Sequence, residues 1–375
     1  MRFARAVSAA ALATAVAVAG PASATGTAHR LPGTTCTAFP ADNYWHADVS
    51  RLPLDKRGPA WLSHMSPTSR LHPDFGPSYG AQPVPYGIPI TYVGSSHVKA
   101  AVSFTYSDES DHVGYPLGTD TKIEGGTNST GDRHAVIVDK GSCRLYELWK
   151  VHRTASGRWA AGSGATWSLT SDVLRPKGWT SADAAGLPIL PGLLRYDEVR
   201  AGTVDHAIRF TTDITSKAYL WPARHQAGST TDVANYPPMG ARFRLKATFP
   251  ISSYRADTRV VLAAMKKYGL VLADNGSPWY FQGTADTAWP TGLLDELKKI
   301  PASAFQAVNT WYLQVNSTAG RPASYSRRAT ARPPGSWERA LAAGGGMIVS
   351  VADTLATCVP RPEQTRLGPE VCVDT

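Results

Sequence analysis

Cysteine is scarce in this chain: Cys36, Cys143, Cys358 and Cys372 are the four among 375 residues, and none falls in a CxxC pair. A zinc site built on paired thiolates is excluded by that spacing. No H-E-x-x-H, no G-x-S-x-G elbow, no Walker loop and no G-x-G-x-x-G occurs, so the zincin, α/β-hydrolase and nucleotide-binding readings have no motif behind them. Charge is also sparse, at 18% of residues, and the excess of 38 Lys and Arg over 29 Asp and Glu is scattered, with no basic run of five or more. Nucleic acid is not an expected partner on that distribution. Past the first 24 residues no apolar stretch approaches the ~18 to 20 residues of a spanning helix, and no membrane partner is expected.

What is present starts with residues 1–24, where Arg2 and Arg5 precede an Ala/Val-rich run and Ala22-Ser23-Ala24 supplies a small-x-small cleavage site. This pattern predicts a secretory signal peptide and a secreted, extracellular protein. An oxidising destination predicts two disulfides. Four cysteines allow three pairings, of which Cys36–Cys143 and Cys358–Cys372 are favoured. Residues 25–33 are read as a flexible leader, 34–316 as a single β-rich domain, and the Arg-, Pro- and Gly-rich residues 317–375 as a C-terminal extension.

Between residues 98 and 249, short alternating or β-branched segments follow one another closely, and Lys140-Gly141 separates two of them as a hairpin turn. Residues 255–268 place Val260, Val261, Ala264 and Tyr268 at helical spacing before Gly269, and 289–299 form a second helical segment. The expected class is mainly β, a β-sandwich or jelly roll with two short peripheral helices. Residues 52–89, rich in Pro, Gly and Ser, are expected as ordered coil anchored by aromatic residues.

Polar groups gather at four places. Glu124 precedes Gly131-Asp132-Arg133-His134, and the period of two in a strand puts Asp132 and His134 on one face, where a carboxylate would raise the basicity of the imidazole. Glu198 leads to Asp205-His206 at the head of a strand; a histidine with apolar neighbours there is more often a core residue bonded to a backbone carbonyl. Trp221, Arg224 and His225 form a third group, as a stacking platform, a carboxylate clamp and a base, although Trp221 alone reads as core. Tyr268 and the turn Asp274-Asn275-Gly276, with Trp279 behind it, form a polar rim beside aromatics.

Gly-Asp-Arg-His at 131–134, Tyr-Glu-Leu-Trp at 146–149, Gly-Leu-Pro-Ile-Leu-Pro-Gly-Leu at 186–193, Asp-His-Ala-Ile-Arg-Phe at 205–210, Pro-Met-Gly-Ala-Arg-Phe-Arg-Leu at 238–245 and Lys-Tyr-Gly at 267–269 resemble a group of secreted actinobacterial and soil-bacterial proteins. The resemblance covers most of the mature domain, implies export and a common fold, and implies no catalytic assignment.

Export, β-richness, 11 Trp, 15 Tyr and the carboxylate and histidine clusters together lead to an expected polysaccharide-active enzyme acting as a monomer without a cofactor. A glycoside hydrolase would draw its paired carboxylates from Glu124, Asp132, Glu198 and Asp274. A lyase would use His134, His206 or Tyr268 as base and Arg224 or Asn275 to neutralise a uronate, and the positive net charge of +9 favours an acidic polymer. Two other readings stay open: a non-catalytic carbohydrate- or wall-binding protein, and a cupin-like enzyme whose metal is held by His134, His206 and His225 with a carboxylate.

Overall fold

The computed structural model describes residues 28–78, 86–126, 128–314 and 318–322. Strands sort into two principal sheets. The larger has six strands in the order His72–Asp74, Tyr280–Gln282, Ile208–Thr212, Leu270–Asn275, Arg242–Leu245, Phe305–Val308. Its two central strands, Ile208–Thr212 and Leu270–Asn275, run parallel, which demands a long crossover. That connection holds three short strands and one helix: of the four α-helices among the described residues, α1 (Gly58–His64), α2 (Tyr196–Ala201), α3 (Ala256–Lys267) and α4 (Thr291–Leu297), the third lies in it. Helix α3 buries Val261, Leu262, Ala264 and Met265 in the main core. It stops where Gly269, at φ +76°, donates its N–H to the carbonyl of Ala264 and turns the chain into the next strand.

The second sheet has the order Ile90–Val93, Ala135–Asp139, Arg144–Trp149, Ser163–Ser168. Its hairpin closes at Lys140-Gly141 as expected, with the Asp139 carboxylate accepting the N–H groups of Gly141 and Ser142. Both faces are buried, and the two-residue period divides them. Val136, Val138, Leu145, Ala165 and Trp167 enter one core, whereas Ala135, Ile137, Tyr146 and Leu148 enter another with Tyr115, Leu117 and Trp159. A three-stranded sheet (Val102–Phe104, Trp159–Ala161, His152–Arg153) and a pair (Ser216–Tyr219, Pro238–Met239) complete the strands.

The class is therefore mainly β with short helices, as the sequence predicted, and mixed rather than purely antiparallel in its pairing. Helix α1 falls in the stretch expected as coil; Pro59 in its first turn and the fully buried Trp61 explain it. Residues 28–33 do not trail as a free leader: Leu31 is buried and donates its N–H to Cys36, and Arg30 bridges to Thr37. Cys36 and Cys143 form the expected disulfide, with Cα atoms 5.5 Å apart. The expected signal peptide, Cys358, Cys372 and nearly all of the C-terminal extension lie outside the described residues. Among the described residues no helix is long and apolar enough to cross a membrane.

One irregular segment, residues 180–194, ties the two main sheets together. Ser163 donates to the Ser181 carbonyl and the Glu147 carboxylate accepts the N–H groups of Ile189 and Leu190, all from the second sheet. Toward the large sheet, the N–H of Ala185 reaches the Ala273 carbonyl and that of Leu194 the Gln282 carbonyl. The candidate site lies along this seam.

Candidate functional site

Ile208 and Phe210 point into the main core, so strand alternation turns Arg209, between them, toward the seam. Phe281 pairs with Phe210 in antiparallel register, which brings Gln282 beside Arg209, and Asp74 pairs with Gln282. Three neighbouring strands thereby present a polar row. Tyr86 donates to Asp74, the Gln282 amide donates to Asp74 at 3.3 Å, and Arg209 donates to the Gln282 oxygen. At the end of the row the Arg209 guanidinium grips both oxygens of Asp183, which has no exposed surface.

His134 comes from the second sheet, one residue before its Ala135–Asp139 strand. Its Nδ1 lies 2.6 Å from Glu124 and its Nε2 3.2 Å from the carbonyl of Ala182. Both neighbours are acceptors, so the ring that satisfies both is an imidazolium. Burial alone would lower its pKa; the Glu124 carboxylate overrides that and raises it to about 9. Glu124 is held below the usual carboxylate range by the same pairing, against its own burial.

Asp274 closes the group. It stands near the end of Leu270–Asn275, just past a register irregularity after Leu272 that turns its side chain toward the seam. One ligand-type atom each from His134, Asp183 and Asp274 lies within 4.8 Å of the others, and of the three Asp274 is half-buried where His134 and Asp183 are buried. Desolvation and the neighbouring Asp183 push its carboxyl up to about 7, against the pull of Arg209 and His134. Glu147, sealed behind them, is raised to about 8 by burial despite two backbone donors. A carboxyl poised near neutrality at the reachable end of a fixed charge network is suited to general acid or base work.

The same shifts set a pH dependence of stability. His134, Glu147 and Asp274 all hold protons more tightly folded than unfolded, so each contribution is full at low pH and falls as pH rises through its own folded value. Glu124 and Glu198 are depressed and act oppositely, losing stabilisation in acid. The unfolding midpoint is expected to be highest near about pH 5 and to fall steadily toward about pH 9. Urea titrations across that range check it, and a flat or rising profile contradicts the assignment.

The trio also has the size of a cation site, yet its donors are engaged. Accepting a divalent ion would require His134 to lose a proton that Ala182 and Glu124 both stabilise, and Asp183 to loosen from Arg209. Neither His206 nor His225 joins His134 in a metal-sized group among the described residues.

The other expected residues are dispersed. Asp132 is exposed and accepts from the Trp149 indole at 3.1 Å instead of meeting His134. Glu198 and His206 form a second buried pair, 3.0 Å apart, joined by Arg195; the other His206 nitrogen reaches the Ala207 carbonyl, so His134 and His206 do not converge. Trp221 is buried and donates to the Ala319 carbonyl, and Trp279 is wholly buried, donating to that of Met65; neither has a face to offer a sugar, which corrects the expected platform and rim. Arg224 is buried with its Nε on the Arg175 carbonyl, and His225 bonds the Ala184 carbonyl at 2.8 Å. Tyr268 is half-buried, its carbonyl accepting from Arg242, and exposed Asn275 braces the turn through Thr215 and Ala227.

Sequence reasoning did not single out Asp183, Arg209, Gln282, Asp74 or Glu147. Two of them carried a signal: Arg209 in Ala-Ile-Arg-Phe and Glu147 in Tyr-Glu-Leu-Trp are charges inside apolar strands, which only a partner makes tolerable. Compared with protein-family models, curated proteins and solved structures, the chain matches none.

Proposed function

We propose that this protein is a secreted polysaccharide-active enzyme in which Asp274 exchanges the proton at the scissile linkage. The observation that carries the reading is the convergence of His134, Asp183 and Asp274 from three separate segments, with the reachable member poised near neutrality. Arg209 and Asp183 are positioning residues, and the Glu124–His134 pair fixes the positive charge facing Asp274. Two-carboxylate hydrolysis needs a second carboxylate able to meet sugar or water, and Asp183 is sealed under Arg209. Elimination can be run by one group that takes the proton beside the uronate carboxyl and, as the C–O bond breaks, returns it to the departing oxygen, so the lyase is favoured over the hydrolase.

The glycan class is supported by an aromatic pair beside the site. The register that pairs Ala135 with Leu148 sets Trp149 across from His134. Its indole N–H is fixed by Asp132, and half-exposed Tyr106 lies 6.1 Å away, tilted by 35°. A Cβ at Gly162 would lie 2.2 Å from the Trp149 ring, so only glycine lets the indole settle there. The indole is oriented by its own hydrogen bond and has the Lys150 ammonium 4.7 Å over its ring, so the half-exposed Tyr106 beside it is the ring left to meet a sugar face.

The test is a panel of neutral and acidic polysaccharides assayed for new reducing ends and for the ultraviolet absorbance of unsaturated uronate products. Reducing ends with that absorbance are the expected result on an acidic polymer; reducing ends alone would assign hydrolysis. Binding without turnover across the panel would replace the enzyme by a carbohydrate-binding protein.

A further inference from the structure

The three-stranded sheet carries an open groove of about 800 Å³ that shares no residue with the Asp274 site. Its floor is Val102, Leu117 and Trp159, which belong to the core on the opposite side of the second sheet from His134 and Glu147. Its rim is the hairpin linking His152–Arg153 to Trp159–Ala161, and this contributes Arg153, Thr154 and Arg158. The hairpin is a built turn: Thr154 and Arg158 are bonded through their main chains, and Gly157, at φ +77°, donates to Thr154.

The arginines are placed but not neutralised. The Arg153 guanidinium lies 4.0 Å over the Trp159 ring and its Nη1 donates to the Gly157 carbonyl at 2.7 Å, which fixes its direction. Among the described residues, neither Arg153 nor Arg158 has a carboxylate within 4.0 Å, and no Asp or Glu lines the groove. The fixed Arg153 guanidinium and the exposed Arg158 beside it set two cations above an apolar floor, in a volume typical of ligand sites. Hydroxyls of Ser103, Thr154 and Ser156 on the same lining brace the hairpin, Thr154 to Ser156 and to the Arg158 backbone and Ser103 to the Trp159 carbonyl.

We propose that this groove is an accessory site that holds a stretch of carboxylated polysaccharide, a uronate-bearing chain, away from Asp274. Guanidinium forks suit planar carboxylates. Nucleic acid fits less well, since its closely spaced phosphates call for more than two cations. The one large ring in the groove, Trp159, is buried beneath Arg153 and offers no stacking face. This inference does not require the enzymatic reading, because it concerns binding alone.

Native gels cast with polygalacturonate, with neutral dextran or without polymer test it on the whole secreted chain. The parent should be slowed by polygalacturonate only, and less so at high salt. Arg153→Ala with Arg158→Ala should weaken apparent affinity about tenfold or more, whereas Arg153→Lys with Arg158→Lys should retain much of it. Arg158→Glu alone, on the exposed turn, gives a second arm that leaves the Arg153–Trp159 contact intact and should weaken binding as well. Unretarded parent protein, retardation of the double alanine and Arg158→Glu variants equal to the parent's, or tighter binding of duplex DNA than of polygalacturonate through the same arginines would each overturn the proposal.

Discussion

Asp274→Asn is expected to leave the fold intact and to lower turnover on the polymer identified by the panel by a factor of about 10² to 10⁴, the range general acid or base groups contribute. The substitution keeps shape and removes the proton. It also removes a carboxyl that the fold tolerates poorly, because burial and Asp183 both oppose its charge. The unfolding midpoint should therefore stay level or rise while activity falls, a combination that a merely structural aspartate does not produce. Asp183 cannot serve as the comparison, since removing it strands the buried Arg209 guanidinium and costs stability directly. Retention of more than half the parental turnover in Asp274→Asn would remove Asp274 from the chemistry.

The contrast between Asp132 and Glu124 shows what sequence could and could not reveal about the site. A strand period of two predicts that Asp132 and His134 share a face, but Arg133 adopts φ +53° and the strand begins only at Ala135. The period does not propagate through a left-handed residue, and the partner of His134 comes instead from ten residues upstream. Asp183 was harder still. It sits in an irregular segment whose position is set by backbone bonds to two sheets at once, and no local pattern encodes that. His134 and Asp274 were legible because polar residues at strand ends are conspicuous; their meeting was not, because it depends on how the sheets pack.

Elements built from local signals were easier to read. The Lys140-Gly141 hairpin and helix α3 rest on alternation, helical spacing and a glycine stop, all within about a dozen residues. The parallel pairing of Ile208–Thr212 with Leu270–Asn275 spans a long connection and is decided by tertiary burial. The aromatics divide on the same principle: Trp221, which alone reads as core, and Trp279, placed in a rim by its neighbours, both direct their indole donors to backbone carbonyls. Trp149, marked in the sequence only as the last residue of Tyr-Glu-Leu-Trp, is the indole that a surface carboxylate orients.

Replacing Cys36 and Cys143 together by alanine is expected to cost about 4 to 5 kcal/mol of unfolding free energy, the entropy of closing a loop of this size in the unfolded chain. The two cysteines are 107 residues apart, and between them lie α1, the edge strand His72–Asp74 and the first two strands of the second sheet in chain order. Without the bond, residues 28–39 are held on the hairpin only by packing, chiefly Leu31, Ala38 and Phe39 in the core shared with Val136, Val138 and Trp167. Those residues also carry His29, whose main-chain N–H reaches Asp205, so their release would loosen the end of the chain that enters the large sheet. Urea unfolding of the parent with and without reductant, beside the double variant, measures the loss. Reduced parent and reduced variant should coincide, both well below the oxidised parent. An oxidised protein no more stable than the reduced one would mean that the N-terminal segment is secured by apolar contacts alone.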